Sequence, residues 1–284
     1  MRRSLARILA LTALTGTCGM VALAAPAGCS LGQGEGVVHS DALYAKDCVL
    51  PTRGAGSPCE FDPADGGAGD AGADAGLDYG CDNYDLLPNF FAAIPSQNTL
   101  QMRIQRGTDI TELSDGLALL ITDVAEIRAA LKARRDAAMA AGATEDEALE
   151  TAFVDVPVAL PPGVTTSGAP VSPEPPCDEA VKLCTVTPVA MSLYLQKSCH
   201  NQNTMLYAVS GFIRFNSLFS GDPTEPIAAE KLTYVSHFEI TIGDPRDAPP
   251  GVPIGADSIP AELTSKLTGN FRFYFERGKP AQPF

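Results

Sequence analysis

The sequence predicts a mainly β fold: an antiparallel β-sandwich, stapled by disulfides, with a small helical insertion around residues 123–152. Three observations predict it. Apolar and polar residues alternate along several stretches of the second half, the period of strands with one buried face. Pro- and Gly-rich connectors separate these stretches with no βα rhythm, which favours stacked antiparallel sheets over a parallel one. Cysteines cluster before residue 82 and after residue 176, as in an exported chain whose thiols are oxidised in pairs.

The chain opens on Met1-Arg2-Arg3-Ser4-Leu5-Ala6-Arg7, and Ile8 to Ala25 then carry no charge. A basic stretch, an apolar stretch and small residues after it are the parts of a secretory signal, excluded from fold reasoning. Ala25-Pro26-Ala27 suits ordinary signal peptidase. Pro26-Ala27-Gly28-Cys29 resembles the lipobox of bacterial lipoproteins. That resemblance implies cleavage before Cys29, acyl chains such as palmitate carried by that cysteine, and, with Ser30 in the next position, delivery to the outer membrane. Several acyl chains, at about 0.8 kcal/mol per buried CH₂, make a stable anchor where one chain does not. The expected organisation is a signal peptide over 1–28, a lipid-anchored acidic tether over 29–83, and a folded domain over 84–284.

With Cys18 and Cys29 set aside, Cys48, Cys59, Cys81, Cys177, Cys184 and Cys199 remain. Six thiols admit 15 connectivities. Cys59–Cys81 and Cys177–Cys184 are expected as local closures, leaving Cys48–Cys199 as the long bridge. Zinc is the other use of such residues, but Cys177 and Cys184 lack knuckle spacing and His200 beside Cys199 is not spaced as a ligand pair.

Residues 30–58 show no period. Asp62 to Gly80 is low complexity, with six Gly, five Ala and five Asp in 19 residues. Such a stretch cannot bury enough apolar surface to offset ordering. Asp62, Asp65, Asp70, Asp74 and Asp78 do not follow the alternate-position pattern of a calcium loop. His39 falls in the tether on this reading.

Folded structure is expected from Tyr84. Leu100 to Gln105 alternates as a half-buried strand. Ser114-Asp115-Gly116 reads as a turn, followed by the apolar run Leu117 to Ile121. Val124, Ile127 and Leu131 repeat at helical spacing, Gly142 is a C-terminal stop, and Thr144-Glu145-Asp146-Glu147 is a capping box opening a second helix to about Ala152. The basic run Lys132-Ala133-Arg134-Arg135 suggests a phosphate or lipid patch, or more simply a complement to the helix C-terminus. Val154 to Leu160 contains Pro157, which suits an edge strand or a strand end. Seven Pro in residues 157–176 form an extended connector. Val189 to Leu195 and Met205 to Phe215 are further strands, with Gly211 at a bulge. Along the next, Leu232, Tyr234, Phe238, Ile240 and Ile242 face inward while Thr233, Val235, His237, Glu239 and Thr241 face away. Leu267, Phe271, Phe273 and Phe275 mark the last. Residues 244–260 are too long for a hairpin, so these last two strands need not be neighbours.

The charge balance of 20 Lys+Arg against 34 Asp+Glu gives −14. This argues against nucleic acid as a partner and against adhesion to anionic lipid through a basic face. No nucleophile elbow, zincin helix, phosphate loop or dinucleotide fingerprint occurs. His237 and Glu239, two apart on a strand, share a face and are the metal-ligand candidates, with His200 or a neighbouring strand as the source of a third ligand. Asp244, Asp247 and Glu239 supply carboxylates without a diagnostic spacing. The expected function is therefore a cell-envelope lipoprotein, held to the membrane by its lipid, presenting a binding domain to an envelope protein or a glycan. No cofactor is expected and no catalytic residue is assigned. The alternatives are a secreted metal-dependent or hydrolytic enzyme using His237 and Glu239, and a structural envelope component.

Overall fold

A computed structural model describes residues 34–46, 48, 84–107, 114–160, 183, 185–199, 204–250 and 258–275. The alternating segments pair into one sheet. Its strands are β1 (Gly34–Ser40), β2 (Tyr84–Leu86), β3 (Phe90–Ser96), β4 (Thr99–Gln105), β5 (Asp115–Ile121), β6 (Val154–Pro157), β7 (Ala190–Leu195), β8 (Thr204–Ser217), β9 (Leu232–Gly243) and β10 (Thr264–Tyr274). The order is β2-β1-β10-β9-β8-β7-β5-β4-β3, and β6 pairs with the second half of β8. Every pairing between named strands is antiparallel. The two stacked sheets of a sandwich are not what forms. A single sheet curls instead, and its twist brings distant strands together. Phe91 on β3 stacks on Phe273 on β10 with centroids 5.4 Å apart, although five strands lie between β3 and β10 along the sheet.

The inside of the curl is the core. Leu100, Met102 and Ile104, Leu117, Leu119 and Ile121, and Met191, Leu193 and Leu195 keep the predicted alternation and are buried in one cluster with Phe215, Phe238 and Phe271. The helical insertion joins the same cluster. Helix α1 (Val124–Ala140) turns Val124, Ile127 and Leu131 into it. Gly142, at φ 102°, ends it: Gly142 N–H donates to the Met139 carbonyl at 3.0 Å and Ala143 N–H to Ala138 at 3.1 Å, which satisfies the last-turn carbonyls. Helix α2 (Glu145–Thr151) opens with the expected capping box between Thr144 and Glu147. Asp155 anchors β6 by taking both Arg214 Nε at 2.7 Å and Arg214 Nη2 at 2.8 Å.

Three expectations require correction. Residues 34–40 are a strand paired with β10 and β2, not part of a spacer. Gly34 serves close approach, since a Cβ there would lie 2.5 Å from Phe91 Cδ2 and 2.7 Å from Phe273 Cβ. The 62–80 low-complexity stretch lies outside the described residues. Strands β9 and β10 are direct neighbours with Gly243 opposite Thr264. Their long connection packs Ala248 and Ile259 against Leu160 and Val209, and length adds only slowly to the cost of loop closure. The facing of β9 changes phase at a bulge: Gly269 pairs with Phe238 but Phe271 pairs with Val235. Two residues, Ser236 and His237, thus oppose Asn270 alone, so Thr233 and Val235 are buried and Tyr234 is not. One register shift in β8 falls between Ala208 and Ser210, just before Gly211, whose φ is 131°.

Candidate functional site

Cys48 and Cys199 are disulfide-bonded, with Cα atoms 5.2 Å apart across 151 residues of chain. This is the long bridge expected from the sequence; Cys29, Cys59, Cys81, Cys177, Cys184 and His200 lie outside the described residues. Asp115, expected in a turn, instead starts β5 and holds the bridge's neighbour. Its carboxylate accepts the backbone N–H of Lys197 at 2.9 Å and of Ser198 at 3.0 Å, and the Ser198 hydroxyl.

His237 and Glu239 do leave one face of β9, opposite Arg214 and Phe212 of β8. The His237 ring lies 5.6 Å from that of Phe212. Glu239 faces Lys266 of β10 at 3.6 Å. Among the described residues, no three His, Cys, Asp or Glu side chains are grouped closely enough to share a metal ion. The remaining carboxylate candidates hold local structure. Asp244 accepts the Arg246 backbone N–H at 2.9 Å and pairs with its guanidinium. Asp247 takes Lys46 at 2.8 Å.

A polar cluster is buried between β2, β4 and β7. Tyr194 donates to Gln105 Oε1 at 2.8 Å and receives Arg103 Nε at 3.1 Å. Burial pushes the Tyr194 hydroxyl up to about 12, with Arg103 opposing the shift. Burial raises Tyr84 further, helped by the Asp115 charge, and both phenols therefore stay protonated in ordinary buffers.

A cleft of about 720 Å³ lies where α1 and α2 meet the ends of β8 and β10 and the turn at Ala228–Lys231. Leu131, Ala148, Leu218 and Leu232 give it an apolar base. Arg128, Lys132 and Arg135 line it from α1 at i, i+4 and i+7, and Arg272 from β10. The helical spacing that sends Val124, Ile127 and Leu131 into the core sends these three to the neighbouring stripe. The basic run is thus part of a cleft wall and does not complement the helix end, since the last turn of α1 holds no basic residue.

Each charge has a definable surrounding. Arg128 pairs with Glu230. Lys132 pairs with Asp136 at 2.7 Å. Arg272 approaches Glu150 at 3.7 Å and covers the Tyr234 ring at 5.1 Å, while Tyr234 donates to Glu150 at 2.8 Å. Arg135 Nη2 donates to the Asn216 carbonyl at 2.6 Å. Burial lowers the Arg135 guanidinium from its usual range, and the like charge of Arg128 adds to this. Asn216, fully buried at the end of β8, donates Nδ2 to the Leu149 and Glu150 carbonyls at 3.1 and 2.9 Å. It thereby caps the C-terminal end of α2. Asn216 carried no sequence signal; its role follows from the irregular pairing between Phe215 and Ser217.

With this geometry in place, comparison with known protein families, curated proteins and solved structures finds no match. No helix among the described residues is long and apolar enough to cross a membrane.

Proposed function

We propose that the protein is a cell-envelope lipoprotein, exported, lipidated at Cys29 and displaying the curled β domain as a binding module. The observation that carries this reading is the Cys48–Cys199 bridge. A structural disulfide between two stretches far apart in sequence belongs with an oxidising compartment, and the leader ending in Pro26-Ala27-Gly28-Cys29 is the address that would deliver the chain there. The cleft beside α1 supports binding as the activity, because its size falls within the roughly 300–1,000 Å³ of small-molecule sites and its base is apolar with a few charged groups at the wall. Outer-membrane delivery rests on Ser30.

The test is fractionation with intact mass. Expressed with its leader in a Gram-negative host, the chain is expected in the membrane fraction, starting at Cys29 and carrying acyl mass. Cys29→Ser is expected to release it, and Ser30→Asp to shift it from outer to inner membrane. A chain found soluble in the periplasm, cleaved after Ala27 and without acyl mass, would overturn the anchor.

A further inference from the structure

Three of the four basic side chains around the cleft have an acid beside them: Arg128 has Glu230, Lys132 has Asp136 and Arg272 has Glu150. Arg135 does not. It is half-buried, its Nη2 is spent on a backbone carbonyl, and its Nε is buried with no acceptor. Glu145 acts on it only through space, and Arg128 opposes it as a like charge. A guanidinium drawn out of water without a carboxylate is an unfavourable arrangement, and an anion entering the open cleft would relieve it.

The rest of the lining defines that anion. Asp136, Glu145, Asp146 and Glu230 also border the space, so a multiply charged ligand would meet repulsion from several sides. A single negative charge, such as a carboxylate supplies, matches the one unneutralised group. Beyond the guanidinium, Met139, Leu149 and Tyr274 line the cleft without being buried, a surface that gains from covering by an apolar chain, at roughly 25 cal/mol per Å².

We infer that the cleft between α1, α2 and the ends of β8 and β10 binds a small amphiphilic carboxylate, its head on Arg135 and its apolar chain over Met139, Leu149 and Tyr274. This deepens the binding reading above and rests on it, but it does not depend on the anchor. With Nη2 on the Asn216 carbonyl and Nε buried, Nη1 is the nitrogen left to take the head. Arg128 and Arg272 remain with their acids.

The experiment is calorimetric titration of the full chain after its leader, carrying Cys29→Ser so that no acyl chain is present, with decanoate, 1-decanol and inorganic phosphate. Decanoate is expected to bind one to one. 1-Decanol, which has the chain without the charge, is expected to bind at least about tenfold more weakly, and phosphate not to bind measurably. Arg135→Gln is expected to weaken decanoate at least about tenfold while leaving 1-decanol unchanged, and Arg135→Lys to recover part of the loss. Equal binding of decanol and decanoate, phosphate binding as well as decanoate, no decanoate binding up to about 1 mM, or an unaffected Arg135→Gln variant would each overturn the inference. Should that variant not fold, the ratio of decanoate to decanol on the parent chain decides the matter. Membrane fractionation of the unaltered chain, a separate measurement, shows whether the anchor reading fails on its own.

Discussion

Asp115 accepts the backbone N–H of Ser198 at 3.0 Å, one residue before the bridged Cys199. The same carboxylate takes the Lys197 N–H and the Ser198 hydroxyl, so one side chain at the head of β5 fixes the segment that presents Cys199 to Cys48. Asp115→Ala leaves two backbone donors in a part-buried site without acceptors. Hydrogen bonds to a charged group are worth about 1.5–3 kcal/mol each, with incomplete additivity. The expected loss is roughly 2–4 kcal/mol, read as a lowered urea midpoint with unchanged slope. Asp115→Asn, which keeps an acceptor, should lose less. An unchanged midpoint for the alanine variant would show that Asp115 does not hold this segment.

The bridge itself closes a loop of 151 residues. Chain-entropy reasoning assigns such a closure roughly 5 kcal/mol. The paired substitution Cys48→Ser with Cys199→Ser is expected to lower the thermal midpoint by roughly 10–20 °C, taking about 2–4 °C per kcal/mol for a domain of this size. Reductant should move the parent chain in the same direction and leave the Cys48–Cys199 contribution of the double variant nothing further to lose. A double variant as stable as the parent would contradict a stabilising role for the bridge.

Gly34 tests how the sheet curls. Its missing side chain lets β1 lie against the Phe91 and Phe273 rings that join β3 to β10. Gly34→Ala must displace one ring or the strand, since a Cβ at 2.5 Å is closer than packed atoms come. Overpacking of this kind costs about 1–3 kcal/mol. Hydrogen exchange is expected to quicken in both β1 and β3, and not in the α1–α2 hairpin. Exchange confined to β1 would mean that β3 does not depend on this contact.

The parts legible in the sequence are those whose cause is local. Val124, Ile127 and Leu131 declare α1 by spacing, and Thr144 with Glu147 declares the start of α2, because both patterns act within two turns of chain. The strands were visible through alternation, which reports a buried face but not a neighbour. That is why a sandwich and a curled sheet read alike. Strand β1 was hidden because Gly34 and Gly36 supply space rather than apolar surface. The phase of β9 was hidden because the extra residue at Ser236–His237 is defined against Asn270 on another strand. For the cleft, the basic run was plain, while the lack of an acid beside Arg135 is a property of the packed chain and of no segment within it.

His39 bridges β1 to β2 and should make that junction sensitive to pH. Its Nδ1 lies 2.7 Å from Asp85 on β2, and its Nε2 lies 2.9 Å from Asp41. These two carboxylates, Asp85 first, raise its pKa above the usual 6.5 against a smaller opposing effect of burial. A histidine whose folded pKa is raised contributes stability that is fully present below its unfolded value and is lost as pH rises through the folded one. The junction is therefore expected to be tightest in mildly acidic buffer and to loosen as the solution becomes neutral and then alkaline. Both side chains are partly exposed, so salt should weaken the effect. The check is an NMR titration of the His39 ring protons with hydrogen exchange of β2 followed in parallel. The expected midpoint lies above 6.5, falls more in Asp85→Asn than in Asp41→Asn, and the pH dependence of β2 exchange, after correction for intrinsic rates, disappears in His39→Gln. A midpoint at or below 6.5 would mean that the imidazolium gains nothing from the two carboxylates, and that β2 is held to β1 by its backbone pairing alone.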